Sequence, residues 1–228
     1  MMSMKIQGIF ITGTDTGVGK TYVGAGLAAA LREQGIDVGV MKPAETGCMF
    51  RNGVLVPRDA LKLIQAGGVD DPLALVNPYR FRDALAPAVA AARTGKRIEI
   101  RRIVSAFRTL ARKHAYMVVE GAGGIMVPLT TNRYYLDLAR VLDLPVLVVA
   151  RPGLGTINHS LLTVMALRSR GLRIAGIVIN HHSKKVPGLA ERTVPPVIER
   201  LSGVPVIGQV KFGQNDFRNI MRYLLMLK

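Results

Sequence analysis

The residues Thr12-Gly13-Thr14-Asp15-Thr16-Gly17-Val18-Gly19-Lys20-Thr21 could do the chemistry most legible in this chain. Glycines let the backbone turn its N–H groups toward phosphate oxygens. A helix start adds the positive end of its dipole. Lys20 is placed to reach the β- and γ-phosphates of a nucleotide, and the Thr21 hydroxyl to ligate Mg²⁺. An apolar strand pattern precedes the loop and a long helical pattern follows, which is the context a P-loop requires. Five residues separate Gly13 from Gly19-Lys20 where the common form has four.

Phosphoryl transfer also needs carboxylates for the metal and cations for the charge that builds up. Glu120 ends the apolar run Met117-Val118-Val119 and leads into Gly121-Ala122-Gly123-Gly124. In a parallel sheet the C-terminal end of a strand borders the ligand crevice, so Glu120 is expected to hold metal. Asp59 opens a helical pattern and, taken alone, reads as an N-cap. Lys42 closes a strand pattern before Pro43. It reads either as a second cation in the crevice or as an ordinary exposed lysine.

The elements that must position these groups follow an α/β pattern. Short apolar runs at 8–12, 38–41, 117–120, 146–149, 174–179 and 205–207 alternate with helical patterns at 21–34, 59–65, 102–114, 134–142, 158–170 and 194–202. The runs are continuous rather than alternating, as in strands buried on both faces of a parallel sheet. A doubly wound, mainly parallel sheet flanked by helices is expected, of the P-loop NTPase type, with residues 1–228 as one domain. The stretch 50–96 is less regular and reads as loops and short helices over the sheet, where substrate sites are often shaped.

Composition narrows the class. The chain has 228 residues, 49% apolar and 20% charged, which argues against disorder. Its apolar runs are strand-length, far below the ~20 residues that span a bilayer. The first residues carry no secretory-signal pattern. The single cysteine, Cys48, excludes an intrachain disulfide and fits a reducing compartment. A cytoplasmic protein is expected. The excess of 31 Lys+Arg over 15 Asp+Glu, a net charge of +16, leaves a polyanionic partner open. Much of it lies at Arg93, Lys96, Arg97, Arg101, Arg102, Arg108, Arg112 and Lys113, on and before one helical pattern.

In their order along the chain these motifs resemble dethiobiotin synthetases. The resemblance is carried by the P-loop with its five-residue spacing, Lys42-Pro43 with Thr46-Gly47, Asp59-Ala60-Leu61, and Val76-Asn77-Pro78-Tyr79. It continues through Glu120-Gly121-Ala122-Gly123-Gly124, Gly153-Leu154-Gly155-Thr156-Ile157-Asn158-His159 and Gly176-Ile177-Val178-Ile179-Asn180. It implies closure of a ureido ring on 7,8-diaminononanoate with CO₂, using ATP and Mg²⁺. A carbamate and a carbamic–phosphoric anhydride would be the intermediates.

The resemblance also implies residue roles. Gly17, Val18, Gly19, Lys20, Thr21 and Tyr22 would line the phosphate site. Thr21, Asp59 and Glu120 would hold Mg²⁺, replacing the N-cap reading of Asp59. Lys42 would be the active-site lysine beside Lys20, and Thr46 and Gly124 would meet substrate. Gly121, Ala122 and Gly123 would border the nucleotide, and Asn180 would read the adenine edge. A homodimer with the diamine site between subunits is implied, with the surface around Asn77-Pro78-Tyr79 and residues 153–158. Two positions depart from the family: Gly208-Gln209-Val210-Lys211-Phe212 lacks its usual purine-contact segment, and Gly17 stands where some members have Glu.

Other features are bland. Cys48 reads as structural, His181-His182 as a polar loop, and Met221, Leu224, Leu225, Met226 and Leu227 as a packed helix face. The competing reading is a partition- or septum-type switch ATPase that binds DNA or membrane. Such proteins commonly carry an extra lysine within the P-loop, and positions 14–18 hold none. Neither a nucleic-acid nor a membrane partner is expected.

Overall fold

A computed structural model describes residues 6–181, 183–184 and 188–227. Strand β1 (Gly8–Gly13) runs into the glycine loop and helix α1 (Lys20–Glu33). Then come β2 (Val38–Met41), β3 (Ala44–Glu45), the hairpin β4 (Met49–Arg51) and β5 (Val54–Val56), α2 (Arg58–Gly67), α3 (Leu73–Val76), β6 (Tyr79–Arg80) and α4 (Pro87–Arg93). The chain continues through α5 (Ile100–Ala111), β7 (Tyr116–Gly124), α6 (Tyr135–Leu142), β8 (Val146–Ala150) and α7 (Thr156–Arg168). It closes with β9 (Ile174–Asn180), α8 (Leu189–Ser202), β10 (Val206–Val210) and α9 (Arg218–Met226).

Six strands form one wholly parallel sheet in the order β10-β9-β8-β1-β7-β2. The continuous apolar runs follow from its two covered faces. Phe10, Met117 and Val119 pack on one side under α4 to α8; Ile9, Ile11 and Val118 pack on the other under α1, α2 and α9. The central strand β1 lies between β7 and β8, so its C-terminal end opens where the chain winds in opposite directions, the usual place for a ligand crevice. The irregular stretch adds a two-strand parallel piece, β3 with β6, and the β4–β5 hairpin.

Two expectations about helices need correction. Helix α8 begins at Leu189 rather than at 194, and carries Pro195 and Pro196 inside it. On α9, Ile220, Met221 and Leu224 are buried, but Met226 is 77% exposed and Leu225 and Leu227 are also exposed. The 3.6-residue period puts only the first three on the sheet side. Among the described residues no helix is long and apolar enough to cross a membrane.

Candidate active site

The phosphate loop is shaped by two positive-φ glycines, Gly17 (φ 75°) and Gly19 (φ 92°), the latter being the N-cap of α1. Side-chain-bearing residues resist this region. No side chain caps α1, so its first N–H groups are left for an anion. Lys20 Nζ lies 3.3 Å from the Asp15 carbonyl, to which it donates, and the side chain is buried. Burial, and then the charge of Lys42, lowers its pKa to about 8.

Lys42 sits one residue beyond β2. Its N–H donates to the Val76 carbonyl (2.8 Å), and its own carbonyl accepts from Asn77 Nδ2 (2.6 Å). Its Nζ meets Glu120 Oε1 at 2.5 Å, Asp59 Oδ2 at 3.1 Å and the Gly121 carbonyl at 3.1 Å. Burial acts to lower its pKa; Glu120 and then Asp59 outweigh that and hold its pKa above the ordinary lysine value. Asp59 is opposed by partial burial, but Lys42 keeps its carboxyl below the usual range. The lysine that was open between crevice and surface is therefore a buried cation clamped by two carboxylates.

Glu120 is fully buried opposite Ile11 in the β1–β7 register. Its Oε1 also accepts from Thr21 Oγ1 (2.9 Å), while Oε2 is buried with no partner. No group of three or more His, Cys, Asp or Glu arranged for a metal occurs among the described residues. The protein thus offers two carboxylates and a hydroxyl, with phosphate oxygens and water left to complete a shell. Mg²⁺ is commonly held in this way, and the orphaned Oε2 is a hard oxygen free to take part. The residues fit Mg²⁺.

A cavity of about 500 Å³ is lined by Thr16, Gly17, Gly19, Lys20, Thr21, Lys42, Glu45, Thr46, Asp59, Glu120, Ala122 and Gly123, together with residues 84–87 and Val127. Most of the sequence-predicted site converges there. Gly121 contributes its carbonyl to Lys42, and Gly124 pairs with Gly13 in the sheet. Val18 is buried in the core, and its carbonyl accepts from Asn180 Nδ2 (3.0 Å). Asn180 Oδ1 is buried and unpartnered.

Tyr22 stands apart. Its hydroxyl donates to the Gln214 carbonyl (2.5 Å) and its ring meets Phe217 edge-on. Residue 22 can therefore give the phosphate site only its backbone.

Three buried residues beside the site were not singled out for it by sequence. Glu45 accepts the N–H groups of Asp59 and Ala60, each at 3.0 Å, and burial raises its carboxyl pKa. Asn77, read as subunit surface, is fully buried beneath Lys42; Tyr79 is also buried, whereas Leu154 is 91% exposed. Tyr135, fully buried, lies beneath Ala44. Pro57, which starts α2 with no capping side chain, hints that an acceptor comes from elsewhere but not from which residue. Asn77 gave no such signal.

The basic run lies elsewhere. Lys96 and Arg97 line both of two larger openings, about 740 and 540 Å³, the first with Arg101 and Arg133 and the second with Arg80 and Arg102. Neither includes a predicted site residue. Cys48 is buried, and burial pushes its thiol up to about 11, consistent with a structural role. Of His181-His182, His182 lies outside the described residues.

Comparison with known proteins adds an independent line. A family profile described as "AAA domain" matches residues 7–214. The chain is 53% identical over 175 residues to the ATP-dependent dethiobiotin synthetase BioD of Anaeromyxobacter dehalogenans, covering 77% of each. It is 41% identical over 208 residues to that of Thermodesulfovibrio yellowstonii (88% and 87% covered) and 44% over 205 to that of Bacillus licheniformis (89% and 85%). Among solved structures, a ParA family ATPase from Chlorobium tepidum overlays with a TM-score of 0.57 at 15% identity, covering 99% of this chain and all of that one. That likeness reaches the fold alone, and the switch-ATPase alternative is not favoured. The long matches at 41–53% identity settle the family: the chain belongs to the ATP-dependent dethiobiotin synthetases.

Proposed function

We propose that this chain carboxylates 7,8-diaminononanoate and closes its ureido ring, giving dethiobiotin, ADP and phosphate. The carrying observation is Lys42, buried between Glu120 and Asp59 and facing the same cavity as Lys20 and Thr46. One amine of the diamine captures CO₂ as a carbamate. A carbamate oxygen attacks the γ-phosphorus and ADP leaves. The second amine then attacks the carbonyl carbon of the anhydride, and phosphate departs. No covalent protein nucleophile is needed, so catalysis rests on positioning and fixed charge.

Lys20 and the α1 N–H groups bind the β- and γ-phosphates. Lys42 draws the carbamate toward the γ-phosphate and offsets the negative charge that gathers as the two anions meet. Thr46 and Gly124 are assigned to substrate, and residues 121–123 to the border between substrate and nucleotide. Asn180, with its unpartnered Oδ1, suits the amino edge of adenine. Thr21, Asp59 and Glu120 would hold Mg²⁺, which when bound supplies charge neutralisation at the phosphates.

The diamine site belongs, in this reading, at the interface of a homodimer. Leu154 before α7, with Leu162 and Met165 exposed along that helix, supports a second subunit covering this face. Light scattering should give twice the chain mass.

The decisive assay supplies the diamine, ATP, Mg²⁺ and labelled bicarbonate and looks for an acid-stable ureido product. Absence of product, with ATP hydrolysis stimulated by DNA instead, would overturn the proposal.

A further inference from the structure

Glu45 holds the carboxylate of Asp59 in place from outside its helix. Helix α2 starts at Arg58, so Asp59 stands in its first turn, where N–H groups have no acceptor within the helix. The usual remedy is a Ser, Thr, Asp or Asn at the N-cap. Here the N-cap is Pro57, with no side-chain acceptor to offer. The missing acceptor comes from fourteen residues earlier in the chain: Glu45 Oε1 takes the N–H of Asp59 and Oε2 that of Ala60, both at 3.0 Å.

The platform that presents this carboxylate is rigid. Glu45 is 5% exposed, pairs with Arg80 in the β3–β6 ladder, and its carbonyl accepts the Phe81 N–H at 2.9 Å. Three residues back along the same segment is Lys42, which meets Asp59 Oδ2 from the other side. Asp59 is thereby fixed twice, its backbone by Glu45 and its side chain by Lys42.

From this geometry we infer that Glu45 is a positioning residue, orienting the first turn of α2 so that the Asp59 carboxylate is presented to a divalent cation. The inference rests on the reading of Asp59 as a metal-holding residue. Outer partners of this kind typically cost about 10–100-fold in metal affinity when removed. Loss of both acceptors should therefore weaken the cation by at least about tenfold, and loss of one acceptor with the charge, as in Glu45→Gln, by less.

The test uses Mn²⁺ with ADP on the full chain, reading free Mn²⁺ by electron paramagnetic resonance. Wild type, Glu45→Gln, Glu45→Ala and Asp59→Asn are compared, with thermal melts to identify folded samples. Mn²⁺ binding should weaken about tenfold in Glu45→Ala and by a smaller factor in Glu45→Gln. ADP affinity measured in EDTA should stay within about twofold of wild type. In turnover the half-saturating Mg²⁺ concentration should rise while KM for the diamine does not, and excess Mg²⁺ should restore kcat. Wild-type Mn²⁺ affinity in a folded Glu45 variant, with Asp59→Asn weakened, overturns the inference alone. If Glu45→Ala does not fold, Glu45→Gln decides. Wild-type affinity in Asp59→Asn overturns the metal reading and the inference with it.

Discussion

Removing the charge of Lys42 while keeping its bulk, as in Lys42→Met, should destabilise the metal-free protein more than Glu120→Gln does. Lys42 and Glu120 are 3% and 0% exposed, with 2.5 Å between Nζ and Oε1. In the Lys42→Met chain, Glu120 keeps only the Thr21 hydroxyl, and its Oε2 stays buried without a partner. Breaking a buried ion pair in this way costs about 3–5 kcal/mol. For a chain of this length each kcal/mol moves Tm by roughly 2–4 °C, so a fall of roughly 6–20 °C is expected. In Glu120→Gln the lysine keeps Asp59 and the Gly121 carbonyl, each at 3.1 Å, so the loss should be smaller. The double variant removes the orphaned charge and should be more stable than Lys42→Met. Calorimetry in EDTA on all four proteins measures this. A Lys42→Met protein that melts with wild type, or a double variant whose loss equals the sum of the single losses, would refute the clamped-pair reasoning.

Three further outcomes follow from the same geometry. Nucleotide affinity should fall as pH rises past about 8, because Lys20 then loses the proton that binds phosphate; calorimetric titration of ADP should show the decline in wild type and not in Lys20→Gln. Tyr22→Phe should leave kcat and the KM for ATP unchanged, since its hydroxyl bonds Gln214 away from the cavity, and should cost no more than about 1 kcal/mol in urea denaturation. His114, bonded to Asp37 (2.8 Å) and Asp71 (2.7 Å), is opposed by burial but held above its ordinary pKa of 6.5 by those hydrogen bonds. Its stabilising contribution is full below about 6.5 and is lost as pH rises through the raised folded value. Urea midpoints of wild type and His114→Gln should therefore converge as pH is raised from 6 to 9.

The sheet was legible because parallel strands covered on both faces cannot hide their apolar runs. Even the switch at β1 follows from a glycine loop placed after the first strand. The site was legible where its groups follow strand patterns: Lys42 sits one residue past β2, Glu120 ends the apolar run of β7, and Lys20 opens the helix after the glycine loop that follows β1. Asp59 was not legible from its own pattern, which is that of a helix start; the family resemblance singled it out, and the fold brings its carboxylate to 3.1 Å from Lys42 Nζ. Glu45 and Asn77 were invisible for a different reason. Their partners are backbone groups of residues 59, 60 and 42, and a bond to backbone leaves no mark on the partner's residue type. Residues 225–227 show the reverse error, where apolar identity suggested burial and the helical period turned them outward.

The net charge of +16 suggests a field that would draw in a nucleotide, yet the cavity itself is not basic. Its lining carries two lysines, Lys20 and Lys42, against three carboxylates, Glu45, Asp59 and Glu120. One of those lysines is already committed to two of the carboxylates. A polyphosphate entering this space meets little free positive charge beyond Lys20 and the uncapped start of α1, while distant arginines are screened beyond about 8 Å at physiological salt. A local balance this close to neutral favours a nucleotide that arrives with its own divalent cation, for which, under the proposed function, Asp59 and Glu120 would serve as ligands rather than repel the phosphates. Releasing those carboxylates to the cation would in turn free Lys42 from its clamp to meet the carbamate. Under the proposed function, the lysine paired with Glu120 and Asp59 and the lysine that would serve ring closure are one group with two sets of partners.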